Sequence, residues 1–130
     1  MKNVFLKITF ILSLSFIAFS TSFAQDKVYT NPEKAALYPG GIQALNKFIK
    51  TNLKYPDEAK SANIKGTVEV SFVIEKTGGL SSIQVTKGLG HGCDEEALRI
   101  VRKLPKWFPA SVGGQDVRST YKLIIKFPQT

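Results

Sequence analysis

Several residue types are scarce in this chain, and each shortage removes a class of function. One cysteine and one histidine occur in 130 residues, so an internal disulfide is impossible and a closed zinc site lacks ligands. The 10 acidic residues are outnumbered by 18 lysines and arginines, which gives a formal net charge of +8. The length is that of one domain, which excludes most multi-domain enzymes.

The basic charge alone would suggest binding to nucleic acid, but the first 24 residues argue against it. Lys2 and Lys7 flank the start of an apolar run, dense from Ile8 to Phe19, and the small residues Ser22 and Ala24 follow it. This pattern predicts a signal peptide over residues 1–24, cleaved after Ala24. An exported chain does not normally meet nucleic acid, so the remaining charge of +6 points to acidic proteins or an anionic envelope surface.

The same run permits a second interpretation, an uncleaved inner-membrane anchor. The stretch from Val4 to Phe23 is long enough to span a bilayer, although Lys7 and several hydroxyl residues interrupt it. Cleavage is favoured by the charged start, the short apolar core and the small-residue site. We therefore expect a periplasmic chain with a short tether over residues 25–36 and one domain over residues 37–130.

Apolar spacing predicts two amphipathic helices. The first carries apolar residues at helical spacing from Ile42 to Leu53. Tyr55 ends it, because the residue before a proline disfavours the helical conformation. A short helical turn from Pro56 to Ala62 follows. The second helix opens with three acids at 94–96 and stops before Pro105.

A two-residue period predicts three strands. The first begins at Gly66, with apolar residues at alternate positions, and a Thr77-Gly78-Gly79 turn leads into a return strand from Leu80 to Thr86. The last strand alternates from Val117 to Phe127. The order helix, strand, strand, helix, strand predicts an α+β fold, with a three-stranded antiparallel sheet and two helices packed on one face.

One segment, His91 to Glu96, could support metal or thiol chemistry. His91 and Cys93 have no further cysteine or histidine to complete a zinc site, and no third group orients a Cys-His nucleophile. The glycines that precede Cys93 fail the dinucleotide pattern, because Cys93 stands where the third glycine is required. The interpretation without chemistry is a glycine-rich link before a helix. The sequence therefore predicts no enzyme, no metal and no cofactor.

The last strand is the remaining feature with a functional interpretation. Two helices cannot cover both edges of a three-stranded sheet, so at least one edge presents unpaired backbone groups. Such an edge can accept the extended segment of a partner or pair with a second copy of the chain. Alternatively, Arg118, Lys122 and Lys126 only guard the edge against aggregation. The residues alone leave these interpretations open.

Several segments, taken in order, resemble one family, the C-terminal domain of TonB, the energy transducer of Gram-negative envelopes. The tyrosine–proline pair, a glycine-led strand and a tryptophan-x-proline element form the specific combination, within a resemblance that runs from Leu37 to the end. The matching segments are Tyr55 to Ala59, Ile64 to Ile74, Gly78-Gly79, Ile83 to Val85, Asp94 to Arg99, Pro105 to Ala110, Gly114 and Tyr121 to Phe127.

The resemblance implies that the last strand lies at a sheet edge and captures the TonB box, a short peptide of an outer-membrane receptor, by strand addition. It also implies a second receptor contact at the tyrosine–proline tract, and structural roles for Gly66, Gly78, Trp107 and Pro109. The implied partner-binding residues are Leu53, Lys54, Tyr55, Pro56, Val117, Arg118, Ser119, Thr120, Tyr121, Lys122, Leu123, Ile124, Ile125 and Lys126.

The resemblance does not extend to the membrane anchor and long proline-rich spacer of full transducers. Here the expected tether of about a dozen residues would reach roughly 40 Å when extended. This reach predicts a free periplasmic domain linked to TonB-dependent transport, which binds receptor boxes. The alternative is a self-associating or regulatory envelope domain that uses the same strand without energy transduction. Inner-membrane motor proteins are further expected partners, and nucleic acid is not.

Overall fold

The computed structural model describes residues 27–129, so the expected signal peptide and its cleavage site lie outside the described residues. Within this part of the chain, no helix combines the length and the apolar character needed to cross a bilayer. The helices are α1 (Gly41–Asn52), α2 (Asp57–Ser61) and α3 (Cys93–Arg102). The strands are β1 (Val28–Tyr29), β2 (Gly66–Ile74), β3 (Leu80–Lys87), β4 (Ala110–Val112) and β5 (Gln115–Phe127).

The sheet is mixed and has the order β1-β5-β2-β3, with β4 also paired to β5. β2 is central and antiparallel to both β3 and β5, while β1 runs parallel to β5. The predicted α+β fold is confirmed, but the predicted count of three antiparallel strands was too low. Strands of two and three residues are too short for alternation to show, and β1 lies in the polar segment predicted as a tether.

The core lies between the sheet and the helices. Alternate residues of β2 and β5 point to this side, which is why the two-residue period of the sequence located both strands. Each fully buried aliphatic or aromatic side chain contributes about 1.5–3 kcal/mol relative to exposure. The largest fully buried side chains are Phe72, Phe127, Leu45, Ile74, Ile100, Ile125, Val68, Val70 and Val101.

An aromatic cluster closes one end of this core. Trp107, which is 3% exposed, packs edge-on against Tyr38 and Phe72, with ring centroids 5.4 and 5.8 Å away. Its centroid lies 4.8 Å from that of Tyr121 in β5. Trp107 therefore joins the segment after α3 to β2, to β5 and to the turn before α1.

Gly78 fixes the position of this tryptophan through the backbone. The Trp107 N–H donates to the Gly78 carbonyl at 2.9 Å, and Gly78 has a φ of +86°. A Cβ at Gly78 would lie 2.0 Å from the Trp107 carbonyl oxygen. The hairpin turn therefore needs glycine both for its left-handed conformation and for the close approach of the tryptophan backbone.

Candidate functional site

β5 has a long side that faces no other strand. β2 covers one side of it from Ser119 to Phe127, and β1 covers the opposite side only at Arg118 and Ser119. Among residues 27–129, no strand pairs with that opposite side from Thr120 to Phe127. We call this row of backbone groups the open edge. The sequence predicted a capturing strand from Val117 to Phe127, and the open edge is the part of it after Ser119, because Val117 pairs with β4 and the next two residues with β1.

The sheet has a second outer edge, along β3, but that edge is irregular. Pairing between β2 and β3 shifts register twice, between Glu69 and Val70 and between Ser71 and Val73. Ser82 of β3 also has a positive φ of 49°. Such irregularities twist an edge away from further pairing. β5 pairs with β2 without a register shift, so the open edge is the better template for an added strand.

Contacts of β2 show in which direction its backbone groups point. Glu75, directly after β2, donates its N–H to the Gly79 carbonyl across the hairpin at 2.8 Å. The Glu69 carbonyl accepts a hydrogen bond from the Thr86 hydroxyl of β3. Since backbone groups alternate between the two neighbours of a strand, odd-numbered residues of β2 face β3 and even-numbered residues face β5.

This alternation identifies the residues that face the open edge. Val70 lies opposite Leu123, so odd-numbered residues of β5 direct their backbone groups to β2. The side chain of Gln129 donates to the Lys126 carbonyl at 2.6 Å, which agrees with Lys126 facing away from β2. The backbone groups on the side of the open edge are therefore those of Thr120, Lys122, Ile124 and Lys126, and the N–H of Thr120 faces β1 because Tyr29 is paired with Ser119.

The same four residues carry exposed side chains on the face of the sheet away from the helices. Ile124 is 54% exposed and lies between Lys122 and Lys126. The Lys122 ammonium is 3.9 Å from Glu69, a carboxylate that also lies 3.8 Å from Lys87, and such exposed pairs are weak. A strand added here would meet positive charge and one apolar side chain on this face.

On the helix side, an apolar cleft borders the open edge beside Tyr121. The cleft encloses about 80 Å³, and burial raises the pKa of the Tyr121 phenol. Leu37 and Ile42 line it and are 53% and 59% exposed. Trp107 also lines the cleft, together with neighbours from the turn before α1. The helix side of an added strand would therefore meet apolar surface.

The tyrosine–proline tract is held by α3 and by the chain before β2. The Tyr55 hydroxyl donates to the Ile64 carbonyl and also lies 3.3 Å from the Ala59 carbonyl oxygen. The Lys54 N–H donates to the Glu96 carboxylate at 3.3 Å. None of these hydrogen bonds involves β5.

Glu96 and Arg99 position this tract, and sequence reasoning missed both roles. Glu96 is 8% exposed and is paired with Arg99 in a salt bridge. This hydrogen-bonded pairing raises the pKa of the Arg99 guanidinium, which also donates to the Asn52 carbonyl at 2.9 Å. In the sequence, Glu96 is one of three acids in the first turn of a helix, where acids stabilise the helix dipole. Nothing in the sequence distinguishes Glu96 from the other two.

Glu96→Ala is expected to lower the free energy of unfolding by about 2 kcal/mol, because it leaves a charged donor and the Lys54 N–H without their acceptor. Urea unfolding of both proteins measures the difference. Glu95→Ala is the matched control, because Glu95 neighbours Glu96 in the same helical turn but makes neither hydrogen bond. A loss no larger than that of the control would contradict the positioning role.

The His91–Cys93 segment contains a buried thiol. Cys93 is fully buried, and burial, followed by the nearby carboxylates of Asp94, Glu95 and Glu58, raises the pKa of its thiol. The protonated thiol is a poor nucleophile. Over the described residues, no three potential ligands of the histidine, cysteine or acidic types lie together as a metal site would need.

Two other residues implied to be structural are Gly66 and Pro109. Gly66 begins β2, where a Cβ would lie 2.8 Å from a methyl group of Leu89, a flexible side chain. Pro109 lies directly before β4, and it lines a groove of about 440 Å³ together with Leu37 and Phe108. Gly78 and Trp107 form the backbone contact described above.

Comparison with known proteins gives a family match and a structural likeness. The family model described as Gram-negative bacterial TonB protein C-terminal matches residues 51–128. The solution structure of the Helicobacter pylori TonB C-terminal domain, residues 179–285, is 22% identical with a TM-score of 0.52. This likeness, over 68% of this chain and 80% of that one, is one of fold.

A shorter solution structure of the Helicobacter pylori domain, residues 194–285, also aligns. It is 24% identical, with a TM-score of 0.49, over 66% of this chain and 90% of that one. No curated protein sequence matches the chain.

Proposed function

The chain belongs to the family of Gram-negative bacterial TonB C-terminal domains, and from this premise we propose that it captures the TonB box of an outer-membrane receptor as an added strand on β5. The family takes part in TonB-dependent transport. We further propose that the chain is exported, is cleaved after Ala24 and acts in the periplasm. The single observation that carries the proposal is the open edge from Thr120 to Phe127.

The open edge provides what strand addition requires. Its backbone donors and acceptors lie at regular spacing along β5, because the pairing with β2 has no register shift. An extended peptide gains affinity from such a row of main-chain hydrogen bonds and specificity from its alternate side chains. β1 already uses the start of the same side, which supports the view that this side accepts an extended segment.

Charge supports an acidic partner. Lys122 and Lys126 lie along the open edge on one face, and the chain as a whole is basic. Complementary charge speeds encounter and selects between partners more than it raises affinity. A receptor peptide with acidic residues at alternate positions on that face fits this surface.

Titration of the chain from Gln25 to Thr130 with a synthetic receptor TonB-box peptide tests the proposal. The amides of Lys122, Ile124 and Lys126 are expected to shift most, because their N–H groups point out of the open edge. Resonance assignment and backbone chemical-shift mapping measure this. Saturation that moves only loop amides would show that binding does not use strand addition.

Replacing both Lys122 and Lys126 with alanine is expected to weaken binding of an acidic TonB-box peptide about two- to tenfold at low salt, from two exposed charge contacts. The effect should shrink as salt rises. Calorimetric titration at two salt concentrations measures it. The matched control replaces Lys47 and Lys50 of α1, which removes the same charge away from β5, and equal losses in both variants would reject a local role.

Self-association through the same edge is the competing outcome. Sedimentation of the chain over a range of concentrations, without peptide, separates the two. A dimer that dissociates when receptor peptide is added would place self-pairing at the open edge. A dimer unaffected by peptide would place the contact elsewhere.

A further inference from the structure

β1 lies on the same side of β5 as the open edge. Val28 is paired with Arg118 and Tyr29 with Ser119, in the parallel direction. Both β1 residues are half-buried, and the ammonium group of Lys27 lies 4.7 Å from the centroid of the Tyr29 ring. The chain thus places a short strand of its own against the upstream end of the proposed capture site.

The residues after β1 hold this strand in place. The Glu33 carboxylate accepts the Gly113 N–H at 3.1 Å, in the turn between β4 and β5. Lys34 and Ser111 exchange two backbone hydrogen bonds of 2.9 Å. The chain therefore bends away after Tyr29 and crosses the turn at the start of β5, rather than continuing along the open edge.

This geometry sets β1 in line with an incoming strand. A partner that pairs only from Lys122 onward lies beyond β1 and leaves it in place, because the Thr120 N–H faces Tyr29. A partner whose strand extends to Arg118 needs the Arg118 backbone groups and the Thr120 N–H, which face β1. The two strands cannot occupy that position together.

We propose that β1 is a displaceable strand of this chain that competes with the upstream part of the partner strand at the open edge. The proposal rests on the proposed function and concerns its regulation. Two paired residues make few hydrogen bonds, and each contributes little net stability. β1 therefore acts as a length filter, favouring short partner strands, and not as a complete block.

The test removes the pairing of β1 by V28P/Y29P in the chain from Gln25 to Thr130, because proline has no N–H to donate. Two synthetic receptor peptides are compared, one of about five residues and one of about ten, both containing the TonB box. The affinity of the longer peptide is expected to rise about three- to tenfold in the variant. The affinity of the shorter peptide is expected to stay the same.

Ala35→Pro is the matched control. It puts proline in the same exposed segment, between the backbone bonds of Lys34 and Leu37, without touching β1. This variant is expected to bind both peptides as the unaltered chain does. A gain with Ala35→Pro equal to that with V28P/Y29P would assign the effect to general loosening of the segment and overturn competition by β1.

A second readout needs no receptor peptide. In the V28P/Y29P variant, the amides of Arg118 to Thr120 are expected to shift and to exchange faster with solvent. A synthetic peptide of residues 25–31, added in millimolar excess, should move them back. Unchanged amides in the variant would show that β1 does not occupy the edge in solution.

The outcomes separate the two proposals. If V28P/Y29P and the unaltered chain bind both receptor peptides with the same affinities, capture at the open edge stands and competition by β1 is overturned. Absence of binding by either receptor peptide to any of these proteins overturns capture, and with it the competition, even where the amide readout shows that β1 is paired.

Discussion

Trp107→Ala is expected to lower the free energy of unfolding by about 3–5 kcal/mol, as a large-to-small replacement of a buried aromatic residue. A domain of this size has only about 5–15 kcal/mol in total, so the variant should be close to unfolding. The reason is the position of Trp107, which contacts Tyr38, Phe72 and Tyr121 from three different parts of the chain. Urea unfolding followed by circular dichroism measures the change.

Two further variants separate the role of the ring from the role of the segment. Phe108→Ala changes the neighbouring aromatic residue, which is 61% exposed, and is expected to change stability by less than about 0.5 kcal/mol. The loss of free energy of unfolding in Trp107→Phe should fall between these values. The buried Trp107 Nε1 has no hydrogen-bond partner among the described residues, so this replacement loses packing and no hydrogen bond. A loss for Phe108→Ala as large as that for Trp107→Ala would contradict this account.

The sequence predicted those elements whose residues alternate or recur over several turns. β2 and β5 were located because Val68 to Ile74 and Val117 to Phe127 keep one face apolar, and the structure buries that face. The break at Tyr55-Pro56 was predicted from backbone sterics alone, and α1 ends shortly before it, at Asn52. These patterns are local, so they can be recognised without knowing which strands pair with each other.

β1 and β4 could not be predicted in the same way. Val28 and Tyr29 are two residues in a polar segment, and their strand conformation depends on β5, about 90 positions later in the chain. A pairing between such distant segments leaves no period in either of them. The mixed direction of the sheet follows from β1 alone, so it was lost together with that strand.

The sequence also predicted one part of the candidate site and missed another. The sequence placed an unpaired edge on the last strand, because the helices cannot cover it. It could not say which residues direct their N–H groups outward, since that depends on the hairpin bond from Glu75 to Gly79 and on the regular pairing of β2 with β5. Glu96 was missed for a similar reason, because its contact with Lys54 joins segments that are distant in the chain.

The alternation of β5 gives the second large prediction, which concerns binding without loss of the fold. Ile124→Pro is expected to weaken binding of a receptor TonB-box peptide at least about tenfold, or about 1.4 kcal/mol, because it removes an outward N–H and puts a ring in the path of the added strand. The domain should stay folded, because Ile124 is exposed and proline is tolerated at an edge strand where the N–H faces solvent.

Leu123→Pro, one residue earlier, is expected to affect the fold and not only binding. Leu123 faces β2 opposite Val70 and is 5% exposed, so the change removes both a ladder hydrogen bond and a core side chain, and the domain should unfold. Leu123→Ala and Ile124→Ala show how much of each effect belongs to the side chain, with about 2–5 kcal/mol expected for the buried leucine. Circular dichroism reports the fold and calorimetric titration the affinity.

The pair of proline variants tests the geometry of the edge and not only its existence. An unfolded Ile124→Pro beside a folded, non-binding Leu123→Pro would mean that the odd-numbered residues of β5 face outward, against the contacts of Glu69 and Glu75. Full affinity in a folded Ile124→Pro would move the partner to another surface. In that case the tract from Leu53 to Pro56 is the next place to map.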